Sequence, residues 1–197
     1  MEIRRQTRPL RFVVQDIYTV DGREIVVGRV ESGKLCKGDE LVFYPSGSRG
    51  RVQQIRRFEG ELEEAEEGDS VGLVTTCRAV RGEVGGLVDS APVVTTRFLG
   101  EAVLLDGRLS TGDTLELRCG TRRVRCCIRE FCQKIDSETG EVLMERPDHI
   151  GEHEAATIVF DTEPLVVERF CEIPELGRFV LSRGKNIGAG IVLEVRY

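Results

Sequence analysis

Short segments rich in β-branched and aromatic residues alternate with turn residues along this chain. The first segment spans residues 10–20, and Asp21-Gly22 supplies the backbone freedom that a two-residue hairpin turn needs before the returning segment 25–30. Further strands are predicted at 41–44, 51–58, 71–75 and 93–105. Helical periodicity is weak, and one or two helical turns at most are expected near residues 62–67, within an acidic connection. The pattern predicts an all-β fold, a barrel or a sandwich.

A Gly-Asp turn precedes a predicted strand at three places in the chain. The three turns are Lys37-Gly38-Asp39, Glu67-Gly68-Asp69 and Thr111-Gly112-Asp113. Glycine adopts a positive φ without strain, and an aspartate side chain can accept hydrogen bonds from nearby backbone amides. The recurrence therefore predicts structural turns shared by two similar units.

The predicted domain boundary lies in residues 82–92, where Gly, Ser and Pro cluster before a new strand. Two domains follow from it, residues 1–90 and residues 91–197. In the second domain the run 122–129 alternates, which predicts a half-buried strand. Its buried face would carry Val124, Cys126 and Ile128, and its outer face Arg123, Arg125, Cys127 and Arg129.

Composition and charge restrict the function of this 197-residue chain. It carries 28 Lys and Arg against 34 Asp and Glu, a net charge of −6, whereas a generally basic nucleic-acid-binding domain has a pI above about 9. Any contact with RNA must therefore be local. No apolar run approaches the roughly 20 residues of a membrane helix, and the N-terminus makes a poor secretory signal. We expect a cytoplasmic protein with no membrane partner.

The seven cysteines are an odd number in a chain long enough to fold without disulfides, so we expect reduced thiols, several of them in the core. The spacing of Cys127, Cys132, His149 and His153 loosely matches a zinc pattern. The interval between the two pairs is longer than usual for a zinc finger. The prediction is that the chain holds no metal.

The sequence gives no sign of catalysis. A nucleotide-hydrolysing site needs a glycine-rich loop ending in Gly-Lys-Ser or Gly-Lys-Thr, and the pairs Gly33-Lys34 and Gly184-Lys185 both lack the following hydroxyl. The two histidines have no nucleophile signature near them. We expect neither enzyme activity nor a bound cofactor in this chain.

Six segments of the chain, taken in order, resemble the two β-barrels that follow the GTPase domain in translational GTPases of the elongation factor 1-alpha and elongation factor Tu family. In the first half they are residues 8–18, 27–33 and 68–72; in the second half they are 134–140, 172–179 and 187–192. The resemblance covers nearly the whole chain. It implies two packed Greek-key β-barrels, as in elongation factor domains II and III.

The resemblance also implies candidate binding residues. In the aminoacyl-tRNA carriers of this family the second domain holds the aminoacylated 3′ end, which would place Tyr18, Arg23 and Glu64 near the end pocket. The third domain contacts the T stem, which would place Lys185, Gly188 and Gly190 near that stem. Apart from the resemblance, Arg29, Arg123, Arg125 and Arg178 are candidates for contacts with phosphate or a partner, and the alternative from composition is an ordinary solvated barrel face.

The family further implies what the chain would work with. GTP and Mg would be bound by the GTPase domain of the parent protein, and that domain would be one partner of these barrels. Other expected partners are aminoacyl-tRNA, the ribosome or a release-factor-like protein. Because the resemblance starts at the second domain, the chain is interpreted as a fragment of a GTPase or as a stand-alone paralogue.

Two departures from the family pattern leave an alternative open. The hairpin residues Gly22-Arg23-Glu24-Ile25 lack the family's Gly-x-Gly-Thr stretch, so the end pocket is expected to be altered. The segment 41–47 with Arg51-Val52 is also similar to the GTPase subunit of sulfate adenylyltransferase, which binds no tRNA. The two interpretations are the tRNA- or partner-binding barrels of an elongation, release or rescue factor, and the barrels of that subunit.

Overall fold

A computed structural model describes residues 8–196 of the chain, without the side chain of Arg196. It divides between Val93 and Val94 into two compact units. In the described residues the regular structure is β-sheet apart from a three-residue 3-10 helix, Val88–Ser90. No helix within this range is long and apolar enough to span a membrane.

The strands of the first unit follow one another closely along the chain. They are β1 (Arg11–Val20), β2 (Arg23–Ser32), β3 (Lys34–Cys36), β4 (Glu40–Tyr44), β5 (Ser48–Arg57), β6 (Gly60–Leu62), β7 (Glu64–Glu66), β8 (Ser70–Thr75) and β9 (Val84–Leu87). The main sheet runs β4-β9-β1-β2-β8-β5, and β5 pairs back onto β4, so six strands close a ring. β6 extends the sheet from β5, and β3 pairs with β7 in a separate ribbon. Fully buried Phe12, Phe43, Leu41, Ile55 and Leu73 fill the interior.

The hairpin between β1 and β2 has the predicted two-residue turn. Asp21 and Gly22 both have positive φ, 50° and 75°, and Val20 pairs with Arg23 across the turn. Positive φ at both central positions is the mark of the turn type whose twist matches paired strands, and Asp-Gly favours it. Local sequence chemistry therefore sets the register of this hairpin.

The second unit repeats the architecture with longer strands. They are β10 (Val94–Leu104), β11 (Leu109–Ser110), β12 (Thr114–Cys119), β13 (Arg122–Ile135), β14 (Val142–Glu145), β15 (His149–Ile150), β16 (Ala155–Val166), β17 (Arg178–Arg183) and β18 (Lys185–Arg196). The sheet runs β12-β17-β18-β10-β16-β13, and β13 pairs with β12 to close a second ring of six. Three aromatic rings, Phe98, Phe160 and Phe179, meet at its centre with centroids 5.1–5.5 Å apart. The all-β prediction is confirmed, and each unit closes into a barrel of six strands.

The three Gly-Asp turns have one geometry. In each, the Asp carboxylate accepts a hydrogen bond from the backbone amide three residues earlier, at 2.8 Å for Cys36 and 2.9 Å for Glu66 and Ser110. The glycine has a φ between 87° and 95°. The glycine amide and the Asp carbonyl both form backbone hydrogen bonds with one residue of a neighbouring strand. For the Gly112-Asp113 turn this residue is Ile128. The predicted structural role of these turns is confirmed.

Two more turns of this geometry have different sequences. At Gly82-Glu83 the carboxylate of Glu83 accepts from the Val80 amide at 2.8 Å, and Gly82 has a φ of 89°. At His153-Glu154 the carboxylate of Glu154 accepts from the Gly151 amide at 2.8 Å. His153 stands there where the other turns have glycine, with a φ of 64°. The sequence pattern missed both turns because their acidic residue is Glu and one lacks the glycine.

The expectation of helical turns near residues 62–67 is wrong. The segment forms β6 and β7, and β7 pairs with β3 through Ala65 and Leu35. Leu62 and Ala65 are three residues apart, which is also the spacing of one face of a helix. In the structure they lie on two separate strands, and Ala65 on β7 is buried. Lys34 and Lys37 from the β3 side neutralise the glutamates of this segment.

The alternation predicted for residues 122–129 is confirmed on β13. Val124, Cys126 and Ile128 are buried, and Arg123 and Arg125 are exposed. None of the seven cysteines, which all lie within the described residues, forms a disulfide, and Cys119 and Cys126 lie in the core of the second barrel.

Candidate functional site

The β1–β2 hairpin brings Tyr18 and Arg23 onto one face of the first barrel. Tyr18 pairs with Ile25, and Val20 pairs with Arg23, so the four side chains share one side of the ladder. Tyr18 and Val20 are about half exposed. An aromatic ring and a guanidinium thus stand together near the hairpin tip.

Arg23 also lines a cleft of about 620 Å³ on this face. The cleft runs from the hairpin to β5 and to the chain after β8; its lining is Arg23, Glu24, Gln53, Gln54, Val74, Thr75, Thr76, Cys77 and Arg78. Next to it, Gly72 lies under Ile25, because a Cβ at Gly72 would come within 2.8 Å of the Ile25 Cγ2 atom. Ile25 therefore fills the space that the missing side chain of Gly72 leaves, and the cleft itself is bounded mainly by polar side chains.

The polar wall of this cleft is held by side-chain hydrogen bonds. The Arg56 Nε donates to the Gln54 Oε1 atom at 3.2 Å, and the Gln54 Nε2 donates to Glu61 at 3.3 Å. Sequence reasoning did not single out Gln54, Val74 or Arg78. No local motif marks them, since they meet only when β5 and β8 pair with each other and β8 pairs with β2.

Glu64 and Arg29 stand elsewhere on the first barrel. Glu64 lies on the β3–β7 ribbon, where its Oε2 atom is 2.6 Å from the Lys34 Nζ atom, and this hydrogen bond raises the pKa of Lys34. Arg29 pairs with Ser70 and lies 3.6 Å from Glu31. Their roles in binding stay predictions.

On the second barrel, three cations meet around one cleft. Arg123 on β13, Arg118 on β12 and Lys185 at the start of β18 line a cleft of about 400 Å³ together with Glu116, Ser182, Gly184 and Asn186. The strands bring them together because Arg118 pairs with Arg123, and Ser182 on the other side of β12 pairs with Glu116. We call the surface of Arg118, Arg123 and Lys185 the basic cleft.

Carboxylates moderate the charge around the basic cleft. The Lys185 ammonium is bound by the Asp106 carboxylate, and this hydrogen bond raises the pKa of Lys185. Glu116 lies 3.7 Å from Arg123. Arg125 stands next to the cleft, and its backbone amide donates to Glu163 at 2.8 Å. The positive surface of the basic cleft is therefore small, which agrees with the net charge of −6.

Gly188 and Gly190 serve the packing of the second barrel. A Cβ on Gly188 would meet the Val103 carbonyl oxygen at 2.7 Å. A Cβ on Gly190 would overlap the Glu101 carbonyl oxygen and the Phe179 ring. The space that the missing side chains leave is therefore filled by the barrel itself. Contact with a nucleic-acid stem at these positions stays a prediction.

Arg178 lies at the rim of an apolar groove of about 590 Å³. Val103, Val180, Ala189 and Ile191 form its floor, and Arg118 is shared with the basic cleft. The Arg178 guanidinium stands 6.0 Å from the Phe170 ring centroid and donates to Glu175 at 3.2 Å. The apolar groove and the basic cleft are thus neighbours on one face of the barrel.

The described residues contain no group of three or more His, Cys, Asp or Glu side chains placed to hold a metal ion. Cys127 pairs with Thr114 and Asp161 in the sheet, whereas His149 pairs with Ser110 on β11. His153 belongs to the His153-Glu154 turn, and its Nε2 atom lies 3.4 Å from the Glu152 Oε1 atom.

Two family models match the chain, one in each barrel. Residues 23–85 match elongation factor Tu domain 2, and residues 98–193 match the GTP-eEF1A C-terminal domain-like family. Together with the two rings of strands, these matches define the class as the β-barrel domains of translational GTPases. The chain belongs to the elongation factor 1-alpha and elongation factor Tu-like family, and its barrels correspond to the second and third domains.

Elongation factor 1-alpha proteins from archaea are similar to nearly the whole chain. The protein from Methanobrevibacter smithii is 37% identical over 198 residues, which cover 95% of this chain and 48% of the relative. The protein from Methanothrix thermoacetophila is 39% identical over 198 residues, which cover 95% of this chain and 46% of that relative. The chain thus spans about half the length of these relatives.

The fold is also that of the solved structure of Sup35 complexed with GDP. The two align with a TM-score of 0.89 at 22% identity, covering 96% of this chain and 48% of that one. At this identity the likeness concerns the fold. The matched relatives are translation factors, which favours the first of the two interpretations above.

Proposed function

We propose that this chain provides the aminoacyl-tRNA-binding barrels of a translational GTPase. In this proposal the cleft beside the β1–β2 hairpin holds the unpaired acceptor end, and the basic cleft contacts the phosphates of a stem. The observation that supports it most is that each barrel of an elongation-factor-like chain carries a polar cleft at a residue implied by the family, Arg23 in one and Lys185 in the other, where Arg123 joins it.

The first cleft suits a single-stranded end. Unpaired bases are recognised by stacking on aromatic or guanidinium planes and by hydrogen bonds to their edges. Arg23 and Gln54 offer a guanidinium plane and an amide in the cleft, and Tyr18 lies on the same side of the hairpin as Arg23. The absence of a second glycine in the hairpin leaves Arg23 directly after the turn.

The basic cleft suits a helical backbone. Guanidinium groups bind phosphate oxygens with two parallel hydrogen bonds, and an ammonium adds a point charge. Arg118, Arg123 and Lys185 lie on a pleated outer surface that a nucleic-acid helix can approach. Few such contacts suffice on an acidic protein, provided that they converge.

The chemistry of GTP hydrolysis belongs, in this proposal, to the GTPase domain of the parent protein. The sequence has no phosphate loop, and the described residues contain no group of three His, Cys, Asp or Glu side chains placed to hold a metal ion. The barrels would bind and orient RNA without catalysing a reaction. The ribosome and the cytoplasm are the proposed setting.

Filter binding of aminoacylated and deacylated tRNA to the chain tests the proposal. Arg23→Ala should weaken binding of the aminoacylated form more than that of the deacylated form, because it alters the acceptor-end cleft. The double variant Arg123→Ala/Lys185→Ala should weaken both forms by a similar factor and flatten the salt dependence of binding.

The matched control is Arg49→Ala/Arg51→Ala, which removes two exposed cations from β5. It should leave binding nearly unchanged. If the control weakens tRNA binding as much as Arg123→Ala/Lys185→Ala, or if the unaltered chain does not bind tRNA, the proposal is wrong.

A further inference from the structure

The exposed edge of the second barrel has an unusual composition. β14 is the last strand of its sheet, and no strand in the described part of the chain pairs with its outer side. Val142, Leu143 and Met144 on this strand are 49%, 58% and 54% exposed. Three consecutive exposed apolar residues on an open strand favour association, and soluble proteins avoid them unless they have a use.

The pairing of β14 with β13 leaves its centre free. Met144 pairs with Lys134 and Val142 with Ile135, so Leu143 is an extra residue in a bulge. A bulge changes the direction of the side chain that it carries. Leu143 is accordingly the most exposed of the three apolar residues.

Carboxylates surround this apolar centre. Glu141 and Glu145 stand two residues on either side of Leu143, Glu138 is exposed on the preceding turn, and Arg146 follows the strand. Short length, a bulge and flanking charges are devices that protect an edge strand against aggregation, and β14 has all three. Its three apolar side chains nevertheless stay exposed between the charges, which leaves an apolar surface for an added strand.

The charges discriminate between occupants of the edge. A second copy on this edge would bring its own carboxylates toward Glu141 and Glu145, and like charges that face each other across a ladder are destabilising. Nucleic acid would bring its negatively charged phosphates against these carboxylates, and the like charges would repel each other. An extended segment with apolar residues between two cations would instead pair each carboxylate with an opposite charge.

We propose that β14 is a docking strand for an extended basic segment of a protein partner. The segment adds as a strand to the outer edge of β14, its backbone amides and carbonyls complete the ladder, and its cations lie opposite Glu141 and Glu145. This surface is separate from the clefts assigned to tRNA.

Fluorescence anisotropy with labelled synthetic peptides tests the docking strand on the full chain. The probe is Thr-Lys-Val-Val-Ile-Lys-Thr, whose lysines are spaced like the two glutamates. The same peptide with both lysines replaced by glutamate should bind at least about tenfold more weakly. A peptide with proline at its centre should also lose binding, because proline cannot donate to the ladder.

The variant Glu141→Lys/Glu145→Lys should reverse the preference, so that the glutamate peptide binds better than the lysine peptide. The matched control Glu59→Lys/Glu63→Lys makes the same charge change on the first barrel and should keep the original preference. Circular dichroism verifies that each variant is folded.

Three results would overturn the docking strand. The first is equal binding of the lysine and glutamate peptides by the unaltered chain. The second is an unchanged preference after charge reversal at Glu141 and Glu145. The third is a dimer of the chain that sedimentation detects and that Leu143→Lys abolishes.

Discussion

At the scale of the residue, the fold depends on backbone positions with positive φ. Five turns share a carboxylate that accepts from the backbone amide three residues earlier, and four of them place glycine before that carboxylate. Glycine adopts the left-handed backbone conformation with positive φ without strain, whereas a residue with a side chain is destabilised there by about 1–2 kcal/mol. His153 is the exception.

This exception predicts opposite effects of two substitutions. Gly112→Ala should lower the free energy of unfolding by about 1–2 kcal/mol, because its φ is 87°. His153→Gly should raise it by up to about 1 kcal/mol, because the strain at φ 64° is relieved. Urea unfolding measures both changes. A His153→Gly variant less stable than the unaltered chain would contradict this account of the turn.

Cysteine burial gives a second prediction at this scale. Desolvation raises the pKa of the thiols of Cys119 and Cys126 to about 12, whereas Cys171 is exposed. At pH 8 iodoacetamide should alkylate Cys171 and leave Cys119 and Cys126 unmodified until the chain unfolds, as followed by peptide mass spectrometry. Alkylation of Cys126 as fast as Cys171 would show that it is not buried.

The same shift links stability to pH. A raised pKa in the folded state means that the unfolded chain loses these two protons first, near its ordinary pKa of about 8.5. The stability that the neutral buried thiols contribute is therefore fully present below pH 8.5. It should fall as the pH rises from there toward 12.

At the scale of the element, β18 shows how glycine positions a strand. Gly190 pairs with Ala102 and with Phe179, and the Phe179 ring occupies the place of its missing side chain. Overpacking of a filled core costs typically about 1–3 kcal/mol. The packing at this point couples β17 to β10 through β18.

Gly190→Ala should therefore lower the free energy of unfolding by about 1–3 kcal/mol. The neighbour Ala189 is exposed, so Ala189→Ser is the matched control and should change stability little. Thermal unfolding compares the two variants. A Gly190→Ala variant as stable as the control would refute the packing role and leave the predicted stem contact as the reason for this glycine.

Elements with a local cause could be predicted from the sequence. The Asp21-Gly22 hairpin, the three Gly-Asp turns and the alternation on β13 each follow from the chemistry of a few adjacent residues. The ribbon of β3 and β7 could not be predicted, because the spacing of Leu62 and Ala65 also fits a helix and the pairing with β3 is distant in sequence. The prediction of two barrels came from the resemblance to a protein family and not from local sequence chemistry.

The candidate site was predicted in part for the same reason. Arg23, Arg123 and Lys185 were identified from the sequence, and the structure places each of them at a cleft. Gln54, Val74 and Arg118 were missed, since strands far apart in the sequence bring them to those clefts. Glu64 was predicted near the end pocket, and the structure places it on the β3–β7 ribbon beside Lys34.

At the scale of the whole molecule, an acidic chain presents small basic surfaces. The net charge is −6, and many cations of the described residues are paired with carboxylates, as Lys37 is with Glu61 at 2.8 Å. Screening confines such charges to within about 10 Å at ordinary ionic strength. Binding of RNA must then depend on where the cations converge, and the basic cleft is such a place.

Nuclear magnetic resonance of the isotope-labelled 22.0 kDa chain, titrated with an aminoacylated helix that joins an acceptor stem to a T stem, tests this account most directly. We predict chemical-shift changes of backbone amides at two surfaces in the same titration, around Arg23, Gln54 and Val74 on the first barrel and around Arg118, Arg123 and Lys185 on the second. The deacylated helix should still shift the second surface and should shift the first less. Changes confined to other surfaces, or none at all, would contradict the assignment of these barrels to aminoacyl-tRNA.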